Sequence, residues 1–271
     1  MKKYACVGMM VPPEDGLDNV DEFHPNLVSF VTGSPYGLAA WDGESATHPL
    51  IIRGLSKMST NAIKHCRENN HTFFYTDNPY MLPSLRKTHH RITMNNVQNI
   101  GPIIDRPVDR LEHLGVKIHE NKNNDNGFIL VCPPSKKAMK QYGEDLDEWM
   151  KETQERITEL TDRPVKVRLK PQRGERKHIP ITDDFDKAYC VVTHNSNAAT
   201  EAILYGVPVI SLTENNAARM ICNGSLNDIN NLNRPSITER TRYVAHLSYC
   251  QFTPAEMRSG FAYNTVMENH S

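Results

Sequence analysis

Short apolar runs, each closed by a polar turn, alternate with stretches of helical periodicity through the second half of the chain. Phe128–Cys132 is unbroken apolar sequence and ends at Pro133-Pro134-Ser135. From Leu146 the apolar positions are Leu146, Trp149, Met150, Ile157 and Leu160, with Thr153 between them and Glu, Lys and Arg opposite. That spacing is one face of an amphipathic helix. Thr161-Asp162-Arg163-Pro164 breaks it, Val165–Leu169 predicts the next strand, and a short helical turn follows at Asp183–Asp186. Tyr189–Val192 then predicts a strand, Thr193-His194-Asn195-Ser196 a polar turn, and Asn197–Tyr205 a helix stopped by Gly206. Val207–Leu212 is a second buried strand. Strands alternating with helices predict a parallel sheet covered on both faces.

The first half is less regular. Ala5–Met9 and Leu27–Val31 read as strands and Leu55–Glu68 as a helix. Thr72–Thr76 reads as an aromatic strand ending at Asp77-Asn78-Pro79, and His90–Met94 as another. This predicts a second α/β unit with longer loops. The polar stretch Asn121–Gly127 has nothing to bury and reads as the linker between domains 1–122 and 127–252. In the tail, Ser236-x-x-Glu239 and Thr253-Pro254-x-Glu256 are capping boxes, each opening a helix, with Gly260 ending the second.

A length of 271 residues suits two domains, and 38% hydrophobic with 23% charged residues is ordinary for a soluble protein. A net charge of −1 means that any nucleic-acid binding must come from a local patch. The six cysteines are far apart with no CxxC or CxxH pair, the pattern of buried thiols in a reducing cytoplasm. No apolar run approaches the roughly 18–20 residues of a membrane span. The start, MKKYACVGMMVPPEDG, reads as a first strand rather than a signal peptide, so a cytoplasmic protein without membrane attachment is expected.

In parallel sheets ligands sit outside the C-terminal strand ends. That edge would gather Pro134-Ser135, Arg168 to Lys170, Thr193 to Ser196 and Thr213-Glu214. A polar turn entering a helix offers backbone N–H groups and the positive end of the helix dipole to a phosphate. Ser196 either caps this helix or bonds a phosphate oxygen. Asn197, Thr200 and Glu201 add more hydrogen-bonding side chains than a cap requires. Arg168 and Lys170, two apart on one strand, would face the same way and suit a diphosphate leaving group. Arg163, Lys166, Arg173, Arg176 and Lys177 read as a solvated basic edge. No metal-site spacing appears; Asp145-Leu146-Asp147 reads as helix N-terminal acids, so neither a metal nor a bound cofactor is expected.

The segment HNSNAATEAILYGVPVI resembles the donor-binding segment of GT-B-type glycosyltransferases and of phage-encoded glycosyltransferase-like proteins. CPPS and TDRPVKVRLKP precede it in the same order as in those proteins. The resemblance implies a GT-B-like α/β fold of two Rossmann-like domains with a cleft between them, and a last helix, within 253–271, crossing back to the N-terminal domain. It implies a nucleotide-sugar co-substrate, most simply a UDP-sugar. Its donor site would comprise Ser135, Arg168, Lys170, His194, Asn195, Ser196, Asn197 and Thr200, with Glu201 or Thr213 reaching ribose or sugar hydroxyls. In the phage proteins an Arg-Gly, an Asp-x-x-Tyr and an Arg-x-Thr-x-Asn follow in sequence. Here they match Arg53-Gly54, Asp77-Asn78-Pro79-Tyr80 and Arg91-Ile92-Thr93-Met94-Asn95.

The residues alone leave the general base open among Asp42, Asp77 and His48; the resemblance implies Asp77, with Arg53 and Arg91 on the acceptor side. Tyr75 and Tyr80 would supply aromatic walls. The run Arg86 to Arg91 reads equally as a solvated surface and as a contact to DNA phosphates. The acceptor implied is a 5-hydroxymethylpyrimidine, such as 5-hydroxymethylcytosine, in phage DNA inside the host cytoplasm. The alternatives are a surface glycan or small-molecule acceptor, and a UDP-sugar epimerase of the same fold. Sugar, stereochemistry and oligomeric state are not set by the sequence.

Overall fold

The structure, a computed structural model, describes residues 5–16, 20–170 and 180–270. The chain forms two compact units, one of residues 1–99 with 247–271 and one of residues 100–246.

The first unit opens with β1 (Val7–Val11), α1 (Pro25–Thr32), β2 (Gly37–Ala40), β3 (Leu50–Arg53), α2 (Lys57–Glu68), β4 (Phe73–Asp77) and β5 (His90–Met94). The second holds α3 (Asp109–Leu114), β6 (Phe128–Cys132), α4 (Lys136–Tyr142), α5 (Leu146–Leu160), β7 (Val165–Val167), α6 (Thr182–Phe185), β8 (Ala188–Thr193), α7 (Ala198–Leu204) and β9 (Val209–Ser211). The unit boundary falls in the last turns of α8 (Ile237–Ser248). The chain then adds β10 (Gln251–Phe252), α9 (Pro254–Arg258) and α10 (Phe261–Glu268) to the first unit.

The second unit's sheet runs β7-β6-β8-β9 with every pair parallel. β6, β8 and β9 are almost continuously buried, as a sheet covered on both faces requires, while the edge strand β7 is half-exposed. Met139, Leu146, Trp149 and Ile157 of α4 and α5 pack on Ile129, Val131 and Val192. α7 lies against β8 and β9. This α/β arrangement is compatible with a Rossmann-like fold.

The first unit's sheet, β10-β5-β4-β3-β1-β2, is mixed. Only β3 and β4 are parallel, joined by α2 as the crossover; the other neighbours are antiparallel. One face (Ile51, Phe74, Ile92) carries α1, α9 and α10 through Leu27, Phe30, Met257, Ala262 and Val266. The other (Leu50, Ile52, Phe73, Tyr75) carries α2 through Ala62, Ile63 and Cys66.

Two expectations change. Leu27–Val31, read as a strand, lies inside α1: His24 is the N-cap, its imidazole accepting from the Asn26 N–H, and Pro25 opens the first turn. Leu27, Phe30 and Val31 then form an i, i+3, i+4 stripe on the core. The 121–127 stretch, read as the linker, lies inside the second unit. Its polar groups are engaged there: Asn124 Nδ2 donates to the carbonyls of Asp186 and Ala188, the Lys122 N–H to Gly206, and Arg234 to the Lys122 carbonyl.

Candidate functional site

Three strand ends and their turns build the C-terminal edge of the parallel sheet. After β6, Ser135 caps α4, its hydroxyl accepting from the Ala138 N–H at 3.3 Å. After β8, the Thr193 hydroxyl donates to the Cys132 carbonyl and accepts the Ser196 N–H at 3.4 Å. The Ser196 hydroxyl accepts the Ala198 N–H at 3.3 Å. The turn's own side chains therefore occupy two of the N–H groups expected to face a phosphate. Asn195, Ser196 and Asn197 are half-buried, and Asn197 is the N-cap residue of α7 without a side-chain cap bond.

His194 turns away from that role. It is buried, with Nε2 3.3 Å from Glu144 and its ring between Tyr142 and Trp149. Its carbonyl accepts from Ser211 Oγ at 2.8 Å and Asn216 Nδ2 at 3.2 Å, tying the turn to β9 and the loop beyond. Thr200, expected at the donor, is buried with its hydroxyl 3.0 Å from that of Tyr243. Its hydroxyl packs in the interior because α7 turns that face away from solvent. Thr213 Oγ1 accepts the Asn215 N–H within its own loop.

β7 ends at Val167, so strand alternation does not carry Arg168 and Lys170 to one face. Lys170 is exposed, whereas Arg168 is mostly buried and ion-paired with Asp184 of α6, which also binds Lys166. Asp184 is buried, which alone would raise its pKa; hydrogen bonds and charge from Lys166 and Arg168 outweigh this and lower it. Glu201 is half-buried. The Arg168 N–H donates to the Val131 carbonyl at 2.9 Å, which places Arg168 and its partner Asp184 beside the end of β6. Burial is the main cause that pushes the Cys132 thiol up to about 12, which keeps it protonated and unreactive. Asp184 and Asn216 were not singled out in the sequence; an acidic pair in Thr182-Asp183-Asp184-Phe185 and the Asn215-Asn216 pair after Glu214 were their faint signals.

In the first unit, Arg53, Asp77, Tyr80 and Arg91 come together. Asp77, at the end of β4, accepts from Arg53 at 3.1 Å, the Tyr75 hydroxyl at 2.8 Å and the Asn78 N–H at 2.7 Å, with Arg91 at 3.6 Å. Arg91 is 8% exposed and lies over the rings of Tyr75 and Tyr80. Tyr80 is buried, its hydroxyl accepting the Asn99 N–H at 2.6 Å, so it braces the group rather than forming an open wall. Arg86 is exposed on the 3-10 turn Pro83–Lys87.

Burial alone would raise the Asp77 pKa, but Arg91 and Arg53, then the Asn78 N–H and Tyr75 hydroxyl, lower it. The carboxylate is therefore ionised at neutral pH and has little affinity for a proton. Among the other base candidates, Asp42 is an exposed turn residue accepting from Glu44 and Ser45. His48 is half-buried with Nδ1 3.0 Å from the Thr47 hydroxyl.

No protein-family model matches the chain, and no curated protein matches it. Among the described residues no three His, Cys, Asp or Glu side chains are grouped as for a metal, and no helix is long and apolar enough to cross a membrane.

Proposed function

We infer that the protein is a glycosyltransferase of GT-B-like architecture, moving a sugar from a nucleotide sugar, most simply a UDP-sugar, to an acceptor hydroxyl. The observation that carries this reading is the neighbourhood of Cys132. The Arg168 N–H is bonded to the carbonyl of Val131, the residue before Cys132, and the Cys132 carbonyl is bonded to the turn that presents Ser196. Arg168, Lys166 and Asp184 together keep one net positive charge at that edge. A cation oriented before the reaction is what a departing diphosphate needs, since it costs no rearrangement as charge develops. Ser196 and Asn197 then contact the phosphates, and Glu201, carried on α7, suits a ribose diol. The first unit supplies the acceptor side through Arg53 and Arg91. Asp77 holds both guanidinium groups in place; its low proton affinity suits that positioning role better than general-base catalysis. The acceptor proposed is a 5-hydroxymethylpyrimidine in DNA.

The test pairs UDP-glucose and related donors with hydroxymethylated and unmodified DNA and follows the mass of the released nucleosides. A hexose increment confined to the hydroxymethylated bases is expected. Calorimetry should also show donor binding weakened about tenfold or more in Arg168→Gln, the loss of one charge-assisted contact. Wild-type donor affinity in that variant, or no binding of any nucleotide sugar, would remove the reading.

A further inference from the structure

The polar end of the face of the first unit that carries α1 holds buried polar atoms that the Asp77 ion pairs leave without partners. Along β3, β4 and β5 the side chains of Ile51, Phe74 and Ile92 enter the core beneath α1. Alternation places Arg53, Thr76 and His90 on that same face, one layer further toward the sheet edge. Arg53 and Thr76 are register partners, and His90 lies on the next strand. His24, the N-cap of α1, joins them: its N–H donates to the Ala5 carbonyl at 2.9 Å, and the Arg53 N–H donates to the adjacent Cys6 carbonyl at 2.7 Å.

Arg53, Thr76 and His90 each keep one buried polar atom without a partner among the described residues. The Thr76 residue is 0% exposed, yet its Oγ1 has no hydrogen-bond partner among the described residues. Arg53 Nε and His90 Nδ1 are buried and unpartnered in the same sense. His24 Nδ1 accepts the Asn26 N–H, so the neutral ring carries its proton on Nε2 and presents a donor there. Burial, then Arg53, lowers the His24 pKa; burial, Arg53, His24 and His89 bring that of His90 to about 4 against the opposing charge of Asp77. Both rings are thus neutral at pH 7. The first turn of α1 contains no acidic residue, leaving its dipole uncompensated. Alternation starts Asp77 on the opposite face with Tyr75, but its carboxylate pairs with Arg53 at 3.1 Å and its charge reaches His90; Asp21 and Glu22, before His24, are exposed. A buried hydroxyl without a partner costs about 1–3 kcal/mol, so its retention beside a guanidinium calls for a ligand.

We propose that Arg53, Thr76, His90 and His24 form a phosphate-binding site on the α1 face of the first unit. As the acceptor side of a sugar transfer it rests on the glycosyltransferase reading and makes the acceptor a phosphate-bearing molecule. As a phosphate site it stands without that reading. The guanidinium and the Thr76 hydroxyl bond the phosphate oxygens from below, and the imidazole N–H groups close the sides.

Titrating the full-length protein with inorganic phosphate by calorimetry tests it. The expected result is saturable binding that Thr76→Val and His90→Gln each weaken about tenfold, the effect of one hydrogen bond to a charged group. Arg53→Gln should weaken it further, while Ser196→Ala and Arg168→Gln leave it unchanged. Thr76→Val deletes only an unpaired buried hydroxyl, so it should fold at least as stably as the wild type. Wild-type affinity in Thr76→Val, a loss that follows Ser196→Ala instead, or no phosphate binding at all overturns the site. Competition by a nucleoside 5′-monophosphate identifies a terminal phosphate as the natural group. Competition only by an oligodeoxynucleotide lacking terminal phosphates identifies a DNA backbone. Phosphate binding without sugar transfer to any acceptor retains this site and removes the glycosyltransferase reading; transfer without phosphate binding does the reverse.

Discussion

At the scale of single residues, charge is organised by burial more than by sequence proximity. Asp77 and Arg91 are partners across two strands, and Arg53 reaches the same carboxylate from a third. Asp77→Asn would leave Arg91 buried without its counter-charge. We expect it to cost about 3 kcal/mol of stability, measured by urea unfolding at pH 7. Because the native Asp77 pKa is depressed, its stabilisation is present above the unfolded carboxylate range, near 4, and is lost as pH falls through the native value. The variant should therefore lose less stability than the wild type between about pH 4 and pH 2; parallel pH profiles would remove Asp77 as the acid-sensitive group. Short motifs pointed to Arg53, Asp77 and Arg91, but nothing local marked Thr76, and only an acidic pair marked Asp184. Their significance lies in what the neighbouring strands place beside them.

At the scale of elements, apolar periodicity and caps carried most of the information. The strand at Phe128–Cys132 and the helix at Leu146–Leu160 lie where the pattern placed them, and both capping boxes form. The error at Leu27–Val31 arose because five residues of mostly apolar sequence fit either period; His24 and Pro25, outside the run, decide it. Two glycines with the same left-handed φ of +75° show how context sets cost. A Cβ at Gly206 would lie 2.1 Å from the Glu120 carbonyl oxygen, whereas one at Gly143 meets nothing within 4 Å. Gly143→Ala should cost only the left-handed penalty of about 1–2 kcal/mol. Gly206→Ala should cost clearly more, since backbone must move as well. Equal losses in chemical denaturation would show that the Glu120 contact yields freely.

At the scale of the whole chain, the two units differ in how they are assembled. Residues 100–246 are contiguous, while the first unit is completed only by the tail. β10 pairs with β5, and Phe252, Met257, Ala262 and Val266 belong to the core under α1. A fragment of residues 100–246 should unfold cooperatively by circular dichroism, and one of residues 1–99 should show no cooperative transition. A folded 1–99 fragment would mean that the tail is dispensable to that core.

The sequence by itself determined what depends on neighbours along the chain: helix periodicity, caps, turn glycines and the alternation that makes the second sheet parallel. It also drew attention to the Ser196 turn and to Arg53, Asp77 and Arg91 before any of them had a position. Tertiary structure decided the mixed order of the first sheet, the unit boundary after Asn99, the withdrawal of Thr200 and His194 into the interior, and the polar layer around Thr76. Strand pairing and burial are contacts between residues far apart in sequence, and period-2 alternation shows that two residues share a face without revealing which face, or what covers it.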